Sequence, residues 1–287
     1  MYKLISTALV GLLALLTSCE KPILASEEST DQTTEGNLTV RVFQVEQTPF
    51  TLLSRTAAND ICTRLNYAIY NEDGSRVKQI NQEHDDADFG HATFQLTEGT
   101  YQLVVVAHSC KGNPTMTNPA KIQFSNTTTG YTDTFLYSEE ITVNDEKTEL
   151  KVPLKRIVSL CRFIVTDDFP ADVKTMQFKY TGGSGAFNAY TGLGCVKSTQ
   201  TVTYTVADGD KQFDLYTFLH DTEGTITLTV TALDAAENVI SERQFNVPLV
   251  QNKITWFSGP FFDESGSQNT ITIDINTEWD GETHLTF

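Results

Sequence analysis

The feature that most constrains this chain is an alternation of apolar and polar residues with a period of two. Side chains of a β-strand point to opposite faces in turn, so this pattern predicts strands with one buried and one solvated face. Leu38, Val40 and Val42 form the first such run. Further runs cover Leu65–Ile69, Tyr101–Ala107, Leu150–Leu154, Ile157–Val165, Ile226–Ala232 and Ile271–Ile275.

The residues between these runs favour turns, and the sequence predicts no substantial helix. Gly and Asn or Asp recur there, as in Asn71–Gly74, and these residue types adopt turn conformations readily. Half-buried antiparallel strands bury their apolar faces most simply by packing sheet on sheet. We therefore predict an all-β fold built from β-sandwiches.

The length of the chain predicts two such domains, since chains of 287 residues usually divide. One alternating run ends near Pro153, and a longer one opens at Lys155-Arg156 with no flexible segment between them. We expect an N-terminal β-sandwich domain at 37–153 and a C-terminal β-sandwich domain at 154–287. The short connection predicts that the two pack against each other.

The N-terminus predicts an exported lipoprotein. Residues 1–18 combine a charged start with a short apolar run, as a signal peptide does. The segment Leu16-Thr17-Ser18-Cys19 resembles the bacterial lipobox, which implies a lipid on Cys19. That lipid would anchor the chain to the outer membrane, because the apolar run is shorter than the about 20 residues of a spanning helix. Residues 19–36 form a flexible acidic tether, either a plain spacer or a surface-export signal.

Charge and cysteine content limit the partners further. The net charge is −17 with no basic run, which argues against a nucleic-acid partner. In an exported chain the four later cysteines suggest two disulfides, Cys62–Cys110 and Cys161–Cys195, one in each domain. Four buried thiols fit the sequence equally well. No metal site is predicted, since the cysteines have neither C-x-x-C nor histidine spacing.

The remaining clusters suggest no catalytic residue and no cofactor. The acidic segment His84–His91 lacks the spacing of a calcium loop. The glycine-rich segment Thr181–Gly185 fits neither a phosphate loop nor a nucleophile elbow. A hydrolase is therefore the weakest hypothesis. A surface glycan-binding lipoprotein is a stronger alternative, in which sugars would stack on exposed aromatic residues, namely Tyr190, Tyr204, Trp256 and Trp279.

Several segments resemble a known family, the fimbrillin-associated anchor and accessory lipoproteins of Bacteroidetes. The segments that carry this resemblance are Tyr101–Ala107, Val152–Phe163, Val247–Thr255, Gly259–Phe262 and Trp279–Gly281. Each is a weak motif, but their order and spacing cover most of the chain behind Cys19. The resemblance implies two tandem transthyretin-like, Greek-key sandwich domains.

The same resemblance implies a structural function. Such a protein would tether a surface fimbria to the outer membrane and limit its length, through sheet-edge contacts with a fimbrillin or another fimbrial subunit. No enzymatic activity would be expected. The alternative within this class is a stalk or tip adhesin subunit that is cut near Arg55 and so loses Cys19; Arg55 can equally be an ordinary loop residue.

Overall fold

The computed structural model describes residues 36–45, 61–125, 129–207, 210–263 and 282–286. For Phe43, Gln44 and 282–286 it describes the backbone alone. Several predictions lie outside these residues, namely the signal peptide 1–18, Cys19, the tether up to residue 35, Arg55, the run Ile271–Ile275 and Trp279.

Within the described ranges every element of regular secondary structure is a β-strand, which confirms the all-β prediction. The strands of the first half are β1 (Leu38–Val45), β2 (Arg64–Tyr70), β3 (Arg76–Glu83), β4 (His91–Phe94), β5 (Gly99–His108), β6 (Thr115–Asn118), β7 (Lys121–Gln123), β8 (Phe135–Val143) and β9 (Thr148–Arg156). The strands of the second half are β10 (Ser159–Val165), β11 (Thr175–Thr181), β12 (Gly183–Ser184), β13 (Ala186–Asn188), β14 (Leu193–Gly194), β15 (Gln200–Thr205), β16 (Gln212–Leu219), β17 (Glu223–Leu233), β18 (Val239–Val250), β19 (Ile254–Gly259) and β20 (Glu282–Thr286).

The first half folds one seven-stranded sheet into a sandwich. Its strand order is β3-β2-β5-β8-β9-β1-β4. Strands β8 and β9 pair only at Phe135–Arg156 and Leu136–Lys155, so the sheet can turn over at this point. The layer β9-β1-β4 then packs on the layer β3-β2-β5-β8, and a single apolar core lies between them. That core contains the alternating residues of both layers, including Val40, Tyr67 and Leu103.

The second half packs two separate sheets face to face. One has the order β12-β16-β10-β19-β20, and the other has the order β15-β11-β17-β18. Alternate residues of both sheets point inward and bury aromatic rings, with Phe163 and Phe178 meeting edge to face at 5.4 Å between centroids. Such an arrangement favours the ring quadrupoles. The two sandwich cores confirm the predicted sandwich architecture.

A small fourth sheet joins the halves. It has the order β14-β13-β7-β6, so β7 of the first half pairs with β13 of the second. Beneath it lies a third apolar cluster, to which both halves contribute, including Val104, Phe124, Phe187 and Phe218. The described residues from Gly36 onward accordingly form one compact unit.

The predicted domain boundary between residues 153 and 154 lies inside β9. This strand pairs with β1 over most of its length, while its last residue, Arg156, contacts the second half at Asn252. The precise division at 153/154 remains a prediction. Among the described residues no helix is long and apolar enough to cross a bilayer.

Candidate functional site in the first sandwich

The site begins with β1, the first described strand after the predicted tether. It lies between two strands, parallel to β9 and antiparallel to β4. Both of its edges are therefore hydrogen-bonded, and it is the element that closes the layer β9-β1-β4. Without β1, strands β4 and β9 would border an open groove with unpaired backbone groups. We call this the β1 groove.

The sequence of β1 suits this groove because its side chains alternate between the core and the outer face from Leu38 to Val42. Leu38 and Val40 point into the core and are 1% and 0% exposed. Val45 is also buried, on the far side of a register shift between Val42 and Gln44. Three apolar side chains thus fill the core side of the groove. Burial of each contributes about 1.5–3 kcal/mol relative to exposure.

Polar contacts line the outer face of β1. Arg41 donates from Nε to His91 Nε2 at 3.0 Å, and its Nη1 lies 3.7 Å from Glu149 Oε1. Thr39 Oγ1 lies 3.5 Å from Thr93 Oγ1. These groups are largely exposed, so each contributes little to stability. Because they join β1 to both β4 and β9, these contacts still favour the observed register of strand pairing.

Asn37 fastens the start of β1. Its side-chain Nδ2 donates to the carbonyl of Leu96 at 2.9 Å, and its Oδ1 accepts the amide of Leu96 at 3.0 Å. The Asn37 carbonyl also accepts the amide of Thr148 at 2.9 Å. Gly36 precedes it in close contact with β4, where a Cβ would lie 2.3 Å from the carbonyl oxygen of Phe94. The chain therefore enters the groove at a fixed point.

The four predicted disulfide cysteines occupy separate surroundings. Cys62 packs in the first core, Cys110 in the cluster between the halves and Cys161 in the second core, whereas Cys195 is exposed. The structure holds them as thiols. It therefore gives no support to the pairs Cys62–Cys110 and Cys161–Cys195, which remain predictions.

The buried thiols are also poorly suited to exchange chemistry. Burial raises the pKa of Cys62 to about 12, and burial likewise raises the pKa values of Cys110 and Cys161. The thiolate is the reactive form in thiol–disulfide exchange. At neutral pH these three side chains are held as protonated thiols.

The aromatic residues of the glycan hypothesis do not form one patch in the described structure. Tyr190 is 52% exposed in the turn between β13 and β14. Tyr204 contacts the rings of Phe178 and Phe213 in the second sandwich and donates to the carbonyl of Asp214. Trp256 is half-buried on the outer face of β19, with the Arg162 guanidinium 4.7 Å from its ring centroid.

The other two sequence clusters lie in a loop and in a short strand. In the acidic segment Asp86 accepts the amide of Glu83, and Gln82 binds the carbonyls of Asp88 and His91, so the loop is organised by its own hydrogen bonds. The glycine-rich segment runs through β12 and pairs with β16.

Sequence reasoning identified β1 as a strand but missed what holds it. The sequence assigned no role to Asn37, whose side-chain amide binds Leu96. The parallel pairing of β1 with β9 joins residues 110 positions apart at Leu38–Thr148. A period-two pattern states which face a strand buries but carries no information about its neighbours.

Solved structures of three other proteins are similar to this chain. A candidate adhesin from Bacteroides ovatus shares 16% identity over 69% of this chain and 88% of its own, with a TM-score of 0.46. A candidate polysaccharide-binding protein from Bacteroides thetaiotaomicron shares 10% over 71% and 78%, with a TM-score of 0.48. The fimbrial anchor protein Mfa2 from Porphyromonas gingivalis shares 14% over 72% and 80%, with a TM-score of 0.42.

No curated protein matches this chain. A family model described as a family of unknown function, DUF6562, matches residues 28–286. Because this match spans both sandwiches, the chain belongs to the DUF6562 family.

Proposed function

We propose that this chain is a non-enzymatic fimbrial subunit of the adhesin type, held at the cell surface by a lipid on Cys19. It would tether a fimbria to the outer membrane and limit its length through strand pairing with another fimbrial subunit. The observation that carries this proposal is the placement of β1, which follows the predicted tether directly and pairs on both of its edges.

The position of β1 suits a load-bearing anchor. Tension on a lipid at Cys19 would reach the folded unit at Gly36 and pass into β1 through Asn37. Backbone bonds to β4 and β9 and the buried side chains Leu38 and Val40 would resist it. A strand held on two edges resists displacement better than an edge strand, because both ladders must break before it leaves.

Partner contacts by strand pairing require an accessible sheet edge. Strands β3 and β4 end the first sheet, and β15 and β18 end the four-stranded sheet of the second half. Unpaired N–H and C=O groups at such edges accept an added strand. Strand β18 is the longest of these at 12 residues, and Val239 at its start is 61% exposed.

The alternative role as a processed stalk or tip subunit draws on the same strand. In the sequence β1 lies between Cys19 and Arg55, so a cut at Arg55 would leave β1 attached to the sandwich only by non-covalent contacts. Its departure would open the β1 groove to a strand from another subunit. Membrane attachment through Cys19 would then be lost.

The first experiment deletes the gene in its host and measures how much fimbrial protein stays on the cells and how much is released. We expect released or abnormally long fimbriae. The wild-type gene should restore normal, cell-bound fimbriae, and Cys19→Ala should not. Cys195→Ala is the matched control and should restore them, because Cys195 is exposed and distant in sequence from the lipobox. Unchanged fimbriae in the deletion strain would contradict the proposal.

A second measurement separates the two roles. Mass spectrometry of the protein from cells should find Cys19 as a lipidated N-terminus if the chain is an anchor. An N-terminus at Thr56, abolished by Arg55→Ala but not by Arg76→Ala, would instead identify a processed subunit. Arg76 is a suitable control since it is exposed at the start of β3.

A further inference from the structure

A cavity of about 380 Å³ opens at one end of the second sandwich. The glycine-rich segment forms one wall with Gly182 and Gly183, and the chain before β15 forms another with Lys197 and Ser198. His220, directly after β16, closes a third side. The volume lies within the range of small-molecule sites and is larger than an inorganic anion requires.

The chemistry of this cavity differs from that of the rest of the protein. The chain has 37 acidic and 20 basic residues, yet the cavity is lined by Lys197, His220, hydroxyl residues and glycine, with no carboxylate among them. Lys197 is exposed and forms no ion pair with any residue in the described part of the chain. A positive pocket on a strongly acidic protein favours an anionic group locally.

The two glycines in the cavity wall are required by packing against the strands behind them. Gly182 has φ +93°, and a Cβ there would lie 2.4 Å from the carbonyl oxygen of Thr225. A Cβ on Gly183 would lie 2.0 Å from Thr217 Oγ1. The Thr217 hydroxyl lies behind Gly183, is buried without a hydrogen-bond partner among the described residues, and does not line the cavity.

The histidine has a fixed orientation. Its Nδ1 lies 3.0 Å from the carbonyl oxygen of Gly194, which can only accept, so Nδ1 carries a proton and donates it. The ring is thus held by β14 at the side of the cavity, and its Nε2 remains for another partner. Ser198 is also placed, because its Oγ accepts from Gln200 Nε2 at 2.7 Å.

We propose that this cavity binds a sugar residue that carries a carboxylate, such as a uronic acid. Lys197 would bind the carboxylate, while Ser198, His220 and the peptide groups of Gly182 and Gly183 would bind sugar hydroxyls. One cation beside several neutral hydrogen-bonding groups fits a ligand with one charge and many hydroxyls. The site does not depend on the proposed fimbrial role.

The test is a titration of the full mature protein with D-glucuronic acid, in which NMR monitors the amide signals of Gly182 and Gly183. D-glucose and inorganic sulfate are titrated in parallel, because they present the hydroxyls and the negative charge separately. We expect saturable shifts with glucuronate and weaker ones with either control. Lys197→Ala should weaken glucuronate binding about fivefold, as expected for one exposed charge contact.

Lys78→Ala is the matched control, since Lys78 is an exposed lysine on β3 in the other sandwich. It should leave the affinity unchanged. The proposal is overturned if glucuronate produces no saturable shift, if glucose or sulfate binds as tightly, or if Lys197→Ala binds like the wild type. Binding of sulfate alone would identify a simple anion site. None of these outcomes bears on fimbrial anchoring, which the deletion experiment tests.

Discussion

At the scale of single residues, Asn37 shows how one side chain can hold a strand. We predict that Asn37→Ala lowers the free energy of unfolding by about 1–3 kcal/mol, because the backbone N–H and C=O of Leu96 lose their partners. Urea unfolding at neutral pH measures the change. Thr39→Ala is the control, since Thr39 has one weak contact at 3.5 Å, and it should change stability by less than about 0.5 kcal/mol. Equal effects of the two substitutions would contradict the prediction.

A second residue, His108, is buried in a polar network at the end of β5. Its Nδ1 accepts the amide of Cys110 at 3.1 Å, so the Nε2 proton is donated to Asn66 Oδ1 at 2.7 Å. Asn66 in turn donates to Asn81 and Asn113. Burial, with a smaller contribution from the positive charge of Arg64, lowers the pKa of His108 to about 3. The folded protein therefore holds this imidazole neutral.

This pKa predicts a loss of stability in mild acid. In the unfolded chain His108 takes up a proton near pH 6.5, whereas in the folded chain it does so only near pH 3. The contribution of neutral His108 to stability is thus fully present above pH 6.5, and it is lost as the pH falls from 6.5 toward 3. We expect His108 to account for a loss of about 2 kcal/mol between pH 7 and pH 5.

Denaturant unfolding at the two pH values tests this contribution. His108→Gln should remove most of the slope although it lowers stability at both pH values, and His84→Gln, in an exposed loop, should retain the slope. A full slope in His108→Gln would show that other groups cause it. The sequence alone assigned no role to His108, because its burial and its hydrogen bond to Asn66 depend on residues distant in sequence.

At the scale of elements, the sequence predicted strands well wherever a strand buries one face. The run Leu38, Val40 and Val42 corresponds to β1, and the run Ile226 to Ala232 lies in β17. The prediction was incomplete for β5, where Leu103 to Ala107 is a continuous apolar run. Val104 and Val106 face the third cluster while Leu103 and Val105 face the first core, so β5 is buried on both faces. A continuous run is the signal of such burial.

The small sheet between the halves could not be predicted in this way. Its strands β6, β7, β13 and β14 are two to four residues long, too short for any periodic pattern. Their pairing follows from the packing of two sandwiches, which local sequence does not encode. The β1 groove has the same origin, because Thr148 and Phe94, the partners of Leu38, are distant in sequence.

The groove leads to a prediction for β1 as an element. Val40→Asp places a charge at a position that is 0% exposed, so β1 should be expelled or loosened. We expect faster hydrogen exchange at the amides of β4 and β9 and no change in β17 of the second half. Val239→Asp, at an exposed site of β18, should leave all three strands unchanged. Uniformly faster exchange throughout would indicate global unfolding and contradict a separable β1.

At the scale of the whole molecule, the two sandwiches share a core. Phe124 of the first half lies beside Phe187 and Phe218 of the second, with centroids 6.5 and 6.1 Å away. Tyr131 extends the contact and donates to Gln200 Oε1 at 2.9 Å. The two sandwiches cannot separate without exposing these rings, so we expect both halves to unfold together.

An ion pair with a buried arginine completes this junction and provides its sharpest test. Arg156 forms two hydrogen bonds with Asp133, at 2.7 and 2.8 Å, and a third at 3.3 Å with Asn252 of the second half. Its side chain is 4% exposed. Removing this almost fully buried guanidinium breaks all three hydrogen bonds and leaves a space in the interior, so Arg156→Ala should lower the free energy of unfolding by about 3 kcal/mol.

Calorimetry should show this loss as a shift of one transition, because the shared core makes the halves unfold together. Arg162→Ala is the matched control: Arg162 forms a similar two-bond pair with Asp214, but within the second sandwich and with side chains 21% and 27% exposed. Because the Arg162 side chain is more exposed than that of Arg156, we expect Arg162→Ala to lower the free energy of unfolding less, by about 1 kcal/mol. Two separate transitions in the wild type would contradict the shared core, since each sandwich would then unfold independently.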